Sequence, residues 1–190
     1  MVIVGRLLTA IVASSMVVAI SIPRAYGMEP EWGEPRSLDP ENAEYLIDDR
    51  RIQLVDGVAD TEMAPGAASR LRTTLLGMPV TGDLDGDGDQ DAALLLVQEF
   101  GGSGAFYYAA VAQGADGATQ GSNGIFLGDR IIVESVDIIG RTIVIHFVTR
   151  RPGQAMTVEP TERKVLMMGL RNDALVAWTP ESASVEGALP

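Results

Sequence analysis

The most informative stretch of this sequence is an acidic loop that is followed directly by an apolar run. It reads Asp83-Leu84-Asp85-Gly86-Asp87-Gly88-Asp89-Gln90-Asp91-Ala92-Ala93-Leu94-Leu95-Leu96-Val97. Its five carboxylates stand at every second position, and in a compact fold they would repel one another strongly unless a cation lay among them. The apolar run is typical of a strand buried on both faces. The stretch therefore predicts a metal site at the start of a central strand.

The spacing of the acidic loop, residues 83–91, narrows the choice of ion. If Asp83 is position 1, carboxylates fall at positions 1, 3, 5, 7 and 9, and Gly88 falls at position 6. A calcium loop of EF-hand type begins in this way, with hard oxygen ligands around the ion and a glycine at the sharp turn. Position 12, which needs a bidentate Glu, is Leu94, so helix–loop–helix is not expected. The alternative is a solvated acidic turn without an ion.

The acidic loop resembles the strand–loop–strand calcium site of FG-GAP and VCBS-type repeats, whose pattern is Asp-x-Asp-x-Asp-Gly-x-x-Asp with a hydrophobic strand after it. The resemblance implies that Asp83, Asp85, Asp87 and Asp91 are side-chain ligands. It also implies that Asp89 offers its backbone carbonyl. No second loop of this kind occurs in the chain, whereas a propeller of such repeats needs several blades. A single domain is therefore expected.

Motifs along a wider segment, from Glu44 to Trp178, resemble a family of small, secreted bacterial proteins with no assigned activity. They are Val55-Asp56-Gly57, Ala64-Pro65-Gly66-Ala67-Ala68-Ser69, Gly82-Asp83-Leu84-Asp85-Gly86-Asp87-Gly88, Gly101-Gly102-Ser103-Gly104-Ala105-Phe106-Tyr107-Tyr108 and Leu127-Gly128-Asp129-Arg130-Ile131. The resemblance implies secretion and a single domain. It implies no reaction and no catalytic residue.

The N-terminus, residues 1–27, has the pattern of a secretory signal peptide. Arg6 precedes an apolar run that ends before Pro23, and small residues follow before the first acid. We expect cleavage after Gly27; an uncleaved anchor is the alternative. After cleavage the protein would be periplasmic or secreted, with no membrane span. Because the chain has no cysteine, it can form neither a disulfide nor a lipid-linked N-terminal cysteine.

Beyond the signal peptide, composition divides the chain into three parts. Residues 28–43 are predicted to be a flexible linker, residues 44–179 a single β-rich domain, and residues 180–190 a disordered tail.

The protein is expected to be strongly acidic after cleavage. The whole chain has 14 basic and 26 acidic residues, and cleavage removes two basic ones, Arg6 and Arg24, so the formal net charge becomes −14. Nucleic acid and anionic lipid are poor partners for such a surface. The scattered arginines are expected to pair with the protein's own carboxylates.

Short β-prone runs separated by turn signals predict a mainly β fold. We expect a compact antiparallel sheet, sandwich or barrel-like, with at most one short helix. Residues 105–112 are the expected partner of the apolar run in a core hairpin, and further hairpins are predicted around Gly140-Arg141 and Asn172-Asp173. The runs before residue 62 predict a small meander that turns at Asp56-Gly57. Residues 113–124 are predicted to be a long exposed loop.

Residues 101–105, Gly-Gly-Ser-Gly-Ala, invite comparison with the Gly-x-Ser-x-Gly nucleophile elbow. An elbow needs a strand, a turn and a helix, whereas strands are predicted on both sides here and the fifth position is Ala105. A serine hydrolase also needs a base, and the sole histidine, His146, is predicted to be a surface or half-buried strand residue. We therefore expect a hairpin connection rather than a Ser103–His146 pair. If this connection lies beside the acidic loop, its backbone could present donors to a ligand.

The leading hypothesis is a non-enzymatic, secreted domain of unknown process whose acidic loop binds Ca²⁺ as a structural clamp. The first alternative is a calcium-dependent adhesion or recognition module, in which calcium arranges residues 101–104 and 113–124 for an extracellular protein or glycan. The second alternative is a metal-dependent hydrolase that uses the carboxylates. The absence of a histidine near the loop, and of a second acidic cluster in the sequence, argues against the hydrolase.

Overall fold

The computed structural model describes residues 37–63, 69–115 and 117–178. The predicted signal peptide (1–27), the first part of the predicted linker and the predicted tail (180–190) lie outside these residues. Within them the chain is mainly β, as predicted, and its strands form three antiparallel sheets that do not close into a barrel. No helix in these ranges is long and apolar enough to cross a membrane.

The described residues form twelve strands. They are β1 (Glu44–Ile47), β2 (Arg50–Gln53), β3 (Val58–Glu62), β4 (Arg70–Gly82), β5 (Asp91–Glu99), β6 (Phe106–Ala115), β7 (Ala118–Gly121), β8 (Ile125–Asp129), β9 (Ile132–Ile139), β10 (Thr142–Thr149), β11 (Glu162–Arg171) and β12 (Ala174–Trp178).

The largest sheet has six strands, with β5 near its centre. Its order is β3-β4-β5-β6-β7, and β8 pairs with the first half of β6 while β7 pairs with the second half. β5 and β6 form the predicted core hairpin, in which Leu95 lies opposite Ala109. The acidic loop joins β4 to β5, and these two strands are also neighbours in the sheet.

β5 is buried on both faces, as its apolar sequence predicts. Ala93 and Leu95 belong to a core shared with the four-stranded sheet, whereas Ala92, Leu94 and Leu96 belong to a second core under the β1–β2 hairpin. None of these five residues is more than 7% exposed. Since full burial of one leucine side chain stabilises a fold by about 1.5–3 kcal/mol, β5 contributes strongly to both interfaces.

The four-stranded sheet has the order β12-β11-β10-β9. Its hairpin turns fall at Gly140-Arg141 and Asn172-Asp173, as predicted. Gly140, Asn172 and Asp173 have φ values of 61°, 50° and 62°, a region that glycine, asparagine and aspartate tolerate better than other residues. Alternate residues of β10 face the core shared with the six-stranded sheet. They are Ile143, Ile145 and Phe147.

The third strand of the predicted meander, β3, does not pair with the second strand, β2, so this part of the prediction is wrong. β1 and β2 form a hairpin, and Val55 and Val58 make an isolated bridge at the predicted Asp56-Gly57 turn. β3, however, pairs with β4 at the edge of the six-stranded sheet rather than with β2. The two strands separate because Ile52 and Leu54 are buried on the face of that sheet, while β3 continues along its edge.

The segment 113–124, predicted to be an exposed loop, is largely built into the sheet. β6 extends through its first residues, and β7 follows. A Cβ on Gly114 would lie 2.6 Å from the carbonyl oxygen of Gln90, and a Cβ on Gly121 would overlap the carbonyl oxygen of Glu44. The prediction failed because these close approaches depend on the absence of a side chain, which hydrophobic periodicity does not reveal.

The described end of the predicted linker packs on the domain. Pro40–Asn42 forms a short 3-10 turn, the one helical element among the described residues. The carbonyl oxygen of Pro40 accepts a hydrogen bond of 2.8 Å from the hydroxyl of Tyr45, and Ala43 is buried. These contacts extend the folded domain upstream of β1.

Candidate metal site in the acidic loop

The acidic loop is closed by the pairing of the two strands that it connects. Gly82 at the end of β4 lies opposite Asp91 at the start of β5, so the loop returns to its starting point. This closure brings together the carboxylates of three of the five predicted ligand residues. One oxygen from each of Asp83, Asp85 and Asp91 lies within 4.8 Å of the other two. Such a group could hold a metal ion, as the spacing of the loop predicts.

Leu84 anchors the acidic loop to the protein interior. Its side chain is 2% exposed and belongs to the core between the six-stranded and four-stranded sheets. Its amide N–H donates a hydrogen bond of 2.8 Å to Asp91 Oδ2. An apolar residue between two aspartates thus turns inward, and the loop is held both by strand pairing and by core packing.

The aspartates also shape the loop, because their side-chain oxygens accept hydrogen bonds from the loop backbone. Three such bonds run from the Gly86 amide to Asp83 Oδ1 (2.6 Å), from the Asp87 amide to Asp85 Oδ1 (3.0 Å) and from the Asp89 amide to Asp87 Oδ1 (2.7 Å). Gly86 and Gly88 take φ values of 86° and 94°, where an L side chain is strained. Each carboxylate has two oxygens and several acceptor sites, so a bond to the loop leaves capacity for a cation.

Asp91 is the buried member of the group. It is 0% exposed, and its two oxygens accept amide hydrogen bonds from Leu84 at 2.8 Å and Gly114 at 3.1 Å. Burial raises the pKa of the Asp91 carboxyl above its ordinary value, the backbone hydrogen bonds act in the opposite direction, and the charge of Asp85 raises it again. The ionised carboxylate is therefore disfavoured at this position, and a bound cation would offset that cost.

Asp87 and Asp89 lie outside the group of three converging carboxylates. Both are exposed, and Asp89 borders a cavity of about 570 Å³ next to the loop, whose lining also includes Leu38 and Pro79. Their predicted roles, Asp87 as a side-chain ligand and Asp89 as a carbonyl ligand, stay predictions.

Sequence reasoning missed one residue at the acidic loop. Arg141, in the turn between β9 and β10, donates a hydrogen bond from Nε to the carbonyl oxygen of Leu84 at 3.3 Å. Its guanidinium lies on Gly86, since a Cβ built there would come within 2.5 Å of Arg141 Cζ. The expected pairing of arginine with carboxylate holds for Arg130 and Asp129, at 2.7 Å, whereas Arg141 contacts backbone. No local signal reveals this contact, because it forms only when the two sheets pack together.

The residues of the serine–histidine hypothesis lie in different parts of the fold. Ser103 is in the exposed connection between β5 and β6, and His146 is an exposed residue of β10 in the other sheet. The connection is part of a hairpin, as predicted. It lies at the end of β5 opposite to the acidic loop, about 25 Å away along the strand. The structure therefore does not place residues 101–104 beside the carboxylates.

An aromatic patch surrounds that distant end of β5. We define it as Phe100, Phe106, Tyr108 and Phe126, whose neighbouring ring centroids are 5.3, 6.4 and 5.4 Å apart. Phe126 is 52% exposed and Phe100 is 39% exposed. The hydroxyl of Tyr108 donates a hydrogen bond of 2.7 Å to Oδ2 of Asp48, in the turn of the β1–β2 hairpin. The patch therefore begins where that hairpin stops covering the sheet.

The described part of the molecule is thus an antiparallel β domain with an acidic loop that could hold a metal ion. No protein-family model, curated protein or solved structure matches the chain. The resemblances to FG-GAP and VCBS-type loops and to small, secreted bacterial proteins stay predictions that rest on the sequence motifs.

Proposed function

We propose that this protein is a secreted domain in which the acidic loop binds Ca²⁺ as a structural clamp. The observation that carries the proposal is the convergence of carboxylate oxygens from Asp83, Asp85 and Asp91 within 4.8 Å. Carboxylates this close repel one another unless they are protonated or neutralised by a cation. Asp91 is also buried, and burial raises the free energy of a charge that has no counter-ion.

The donor set favours calcium over other ions. The converging side chains offer only hard carboxylate oxygens, and the chain contains no cysteine and a single histidine, which lies on β10. Zinc and softer metals prefer nitrogen and sulfur ligands. Magnesium demands a near-ideal octahedron, whereas calcium accepts about six to eight oxygens in a less regular shell. In the proposed set, the carboxylate of Asp87 and the backbone carbonyl of Asp89 join the three converging carboxylates.

An ion in the acidic loop would link two strands and the core at one point. The loop is continuous with β4 and β5, and Leu84 fixes it in the core between the two larger sheets. Extracellular calcium modules bind with Kd values of about 0.1–1 mM. At free calcium about tenfold above Kd, binding stabilises the fold by about 1.4 kcal/mol. This is a useful gain for a chain without disulfides.

Thermal unfolding of the protein that begins at Met28, in EDTA and across a calcium titration, tests the proposal. Magnesium serves as the comparison ion. Calcium is expected to raise the Tm of the wild type and of the control Asp137→Asn, an exposed aspartate of β9 outside the loop. Asp83→Asn and Asp85→Asn are expected to lose the shift, because each removes a charged ligand. If millimolar calcium leaves the wild-type Tm unchanged, the loop is a solvated turn and the proposal is wrong.

A recognition module for an extracellular protein or glycan is the second candidate function, and the exposure of Phe100 and Phe126 in the aromatic patch favours it. Because the patch lies at the other end of β5 from the acidic loop, partner binding would not require calcium at the contact itself. The hydrolase alternative has no observation in its favour.

Binding of cell-wall glycans and secreted proteins, measured in calcium and in EDTA, tests this second function. Phe126→Ser is expected to lose binding, while the control Val176→Ser, at an exposed position of β12, retains it. Equal binding by the two variants would show that the aromatic patch is not the contact surface.

A further inference from the structure

Arg141 connects the turn between β9 and β10 to the acidic loop, and so links the two larger sheets. Its Nε donates to the carbonyl oxygen of Leu84 at 3.3 Å, and its guanidinium packs on the backbone of Gly86. This packing needs a glycine, since a Cβ would lie within 2.5 Å of Arg141 Cζ and the φ of Gly86 is 86°. The arginine thus covers the part of the loop that carries Asp85 and Asp87 on either side of Gly86.

Among the residues that the structure describes, no ion pair takes up the charge of Arg141. In the described ranges of the chain, no carboxylate oxygen lies within 4.0 Å of its nitrogens, although ion pairs of this length form at Arg130 and Arg163. An arginine next to several carboxylates usually forms a direct, often bidentate, pair with one of them. Here a backbone carbonyl orients the guanidinium instead. Its positive charge therefore acts through space on the loop as a whole.

We propose that Arg141 is the resident counter-charge of the acidic loop. In the metal-free protein it partly neutralises the carboxylates and holds the loop against the four-stranded sheet. When a cation enters the loop, the same positive charge repels it, so Arg141 lowers the affinity of the site. The effect on affinity rests on the proposed calcium-binding function, whereas the stabilisation of the metal-free loop does not.

The variants Arg141→Gln and Arg141→Lys separate the charge from the shape of the side chain. Arg163→Gln is the matched control, because Arg163 lies at the other end of the four-stranded sheet and also donates from Nε to an oxygen, that of Glu134 at 3.1 Å. In EDTA at low salt, Arg141→Gln is expected to lower the Tm by about 2–4 °C relative to the control. The difference is expected to shrink at high salt, because salt screens the charge.

Calorimetric titration with calcium chloride measures the effect on affinity. Arg141→Gln is expected to bind calcium about three- to tenfold more tightly than the wild type, since the repelling charge is gone. Arg141→Lys keeps the charge and is expected to bind within about twofold of the wild type.

The EDTA and calcium measurements separate this inference from the proposed function. If the wild type binds no calcium but Arg141→Gln shows the salt-dependent loss of Tm in EDTA, the role of Arg141 as counter-charge is supported and the proposed calcium-binding function is wrong. If Arg141→Gln melts like the control in EDTA, the counter-charge is overturned whether or not calcium binds. Where the wild type binds calcium, equal Kd values for the Gln and Lys variants overturn it too, because the charge would then have no effect on affinity.

Discussion

β5 begins at a charged site and ends at an aromatic one, and the same buried strand supports both. At its start, Asp91 is fully buried, held by backbone amides and close to two other carboxylates. At its end, Phe100 leads into an aromatic patch that is partly open to solvent. A nine-residue strand separates the two by about 25 Å. Because of this separation, we expect substitutions at one end of β5 to leave the other end unaffected.

The largest effect is expected at the charged end, for Leu84→Ala. The free energy of unfolding should fall by about 2–5 kcal/mol, because this side chain is 2% exposed in the core between the sheets. Urea unfolding of the metal-free protein measures the loss. The control Leu76→Ala, at a residue of β4 that is 42% exposed, should cost less than about 1 kcal/mol. Similar losses for the two variants would mean that the loop is not anchored in the core.

A smaller loss of stability, with complete loss of the calcium response, is expected for Asp91→Asn. Both oxygens of Asp91 accept amide hydrogen bonds, and asparagine has only one acceptor oxygen, so the change should cost about 1–3 kcal/mol. Thermal unfolding with and without calcium measures both effects. The control Asp137→Asn should keep the calcium-induced rise in Tm. If Asp91→Asn keeps the full calcium-induced rise in Tm, the ion does not bind at the buried end of the loop.

At the aromatic end, stability is expected to depend on pH through Asp129. The side-chain hydrogen bond from Arg130 lowers the pKa of this carboxyl, burial opposes the change, and the Ala105 amide lowers the pKa further. The unfolded chain therefore takes up this proton at a higher pH than the folded protein. The contribution of Asp129 to stability is complete above its ordinary pKa of 3.8 and is lost as the pH falls through the lower folded value.

Urea unfolding of the wild type and Asp129→Asn, from neutral pH to below pH 3.8, measures this dependence. The wild type should be the more stable at neutral pH, and the difference should close in acid. A difference that stays constant with pH would show that the ionised carboxylate is not what stabilises this end of the sheet.

The smallest effect is expected for Phe126→Ala. Phe126 is 52% exposed, and its closest ring neighbour is Tyr108, at 5.4 Å between centroids. The loss in unfolding free energy should be about 1 kcal/mol or less, and the calcium-induced shift in Tm should equal that of the wild type. A reduced calcium shift in this variant would show that the two ends of β5 are coupled.

Much of the candidate site could be predicted because its residues are neighbours in the chain. The alternation of Asp83 and Asp85 with Leu84 predicted converging carboxylates, and the apolar run after Asp91 predicted a central strand that follows the loop. Strand pairing then closes the loop as expected, because β4 and β5 are joined by the loop itself. The contact with Arg141 could not be predicted in the same way, because it depends on how the second sheet packs against the first.

Local sequence patterns predicted the β class, the turns at Gly140-Arg141 and Asn172-Asp173, the two-sided burial of β5 and the composition of the acidic loop. These follow from periodicity and turn chemistry, which act over a few residues. The pairing of β3 with β4 instead of β2, and the position of Arg141 over the loop, could not be predicted in this way. Both depend on backbone approach and sheet packing, which no local pattern records.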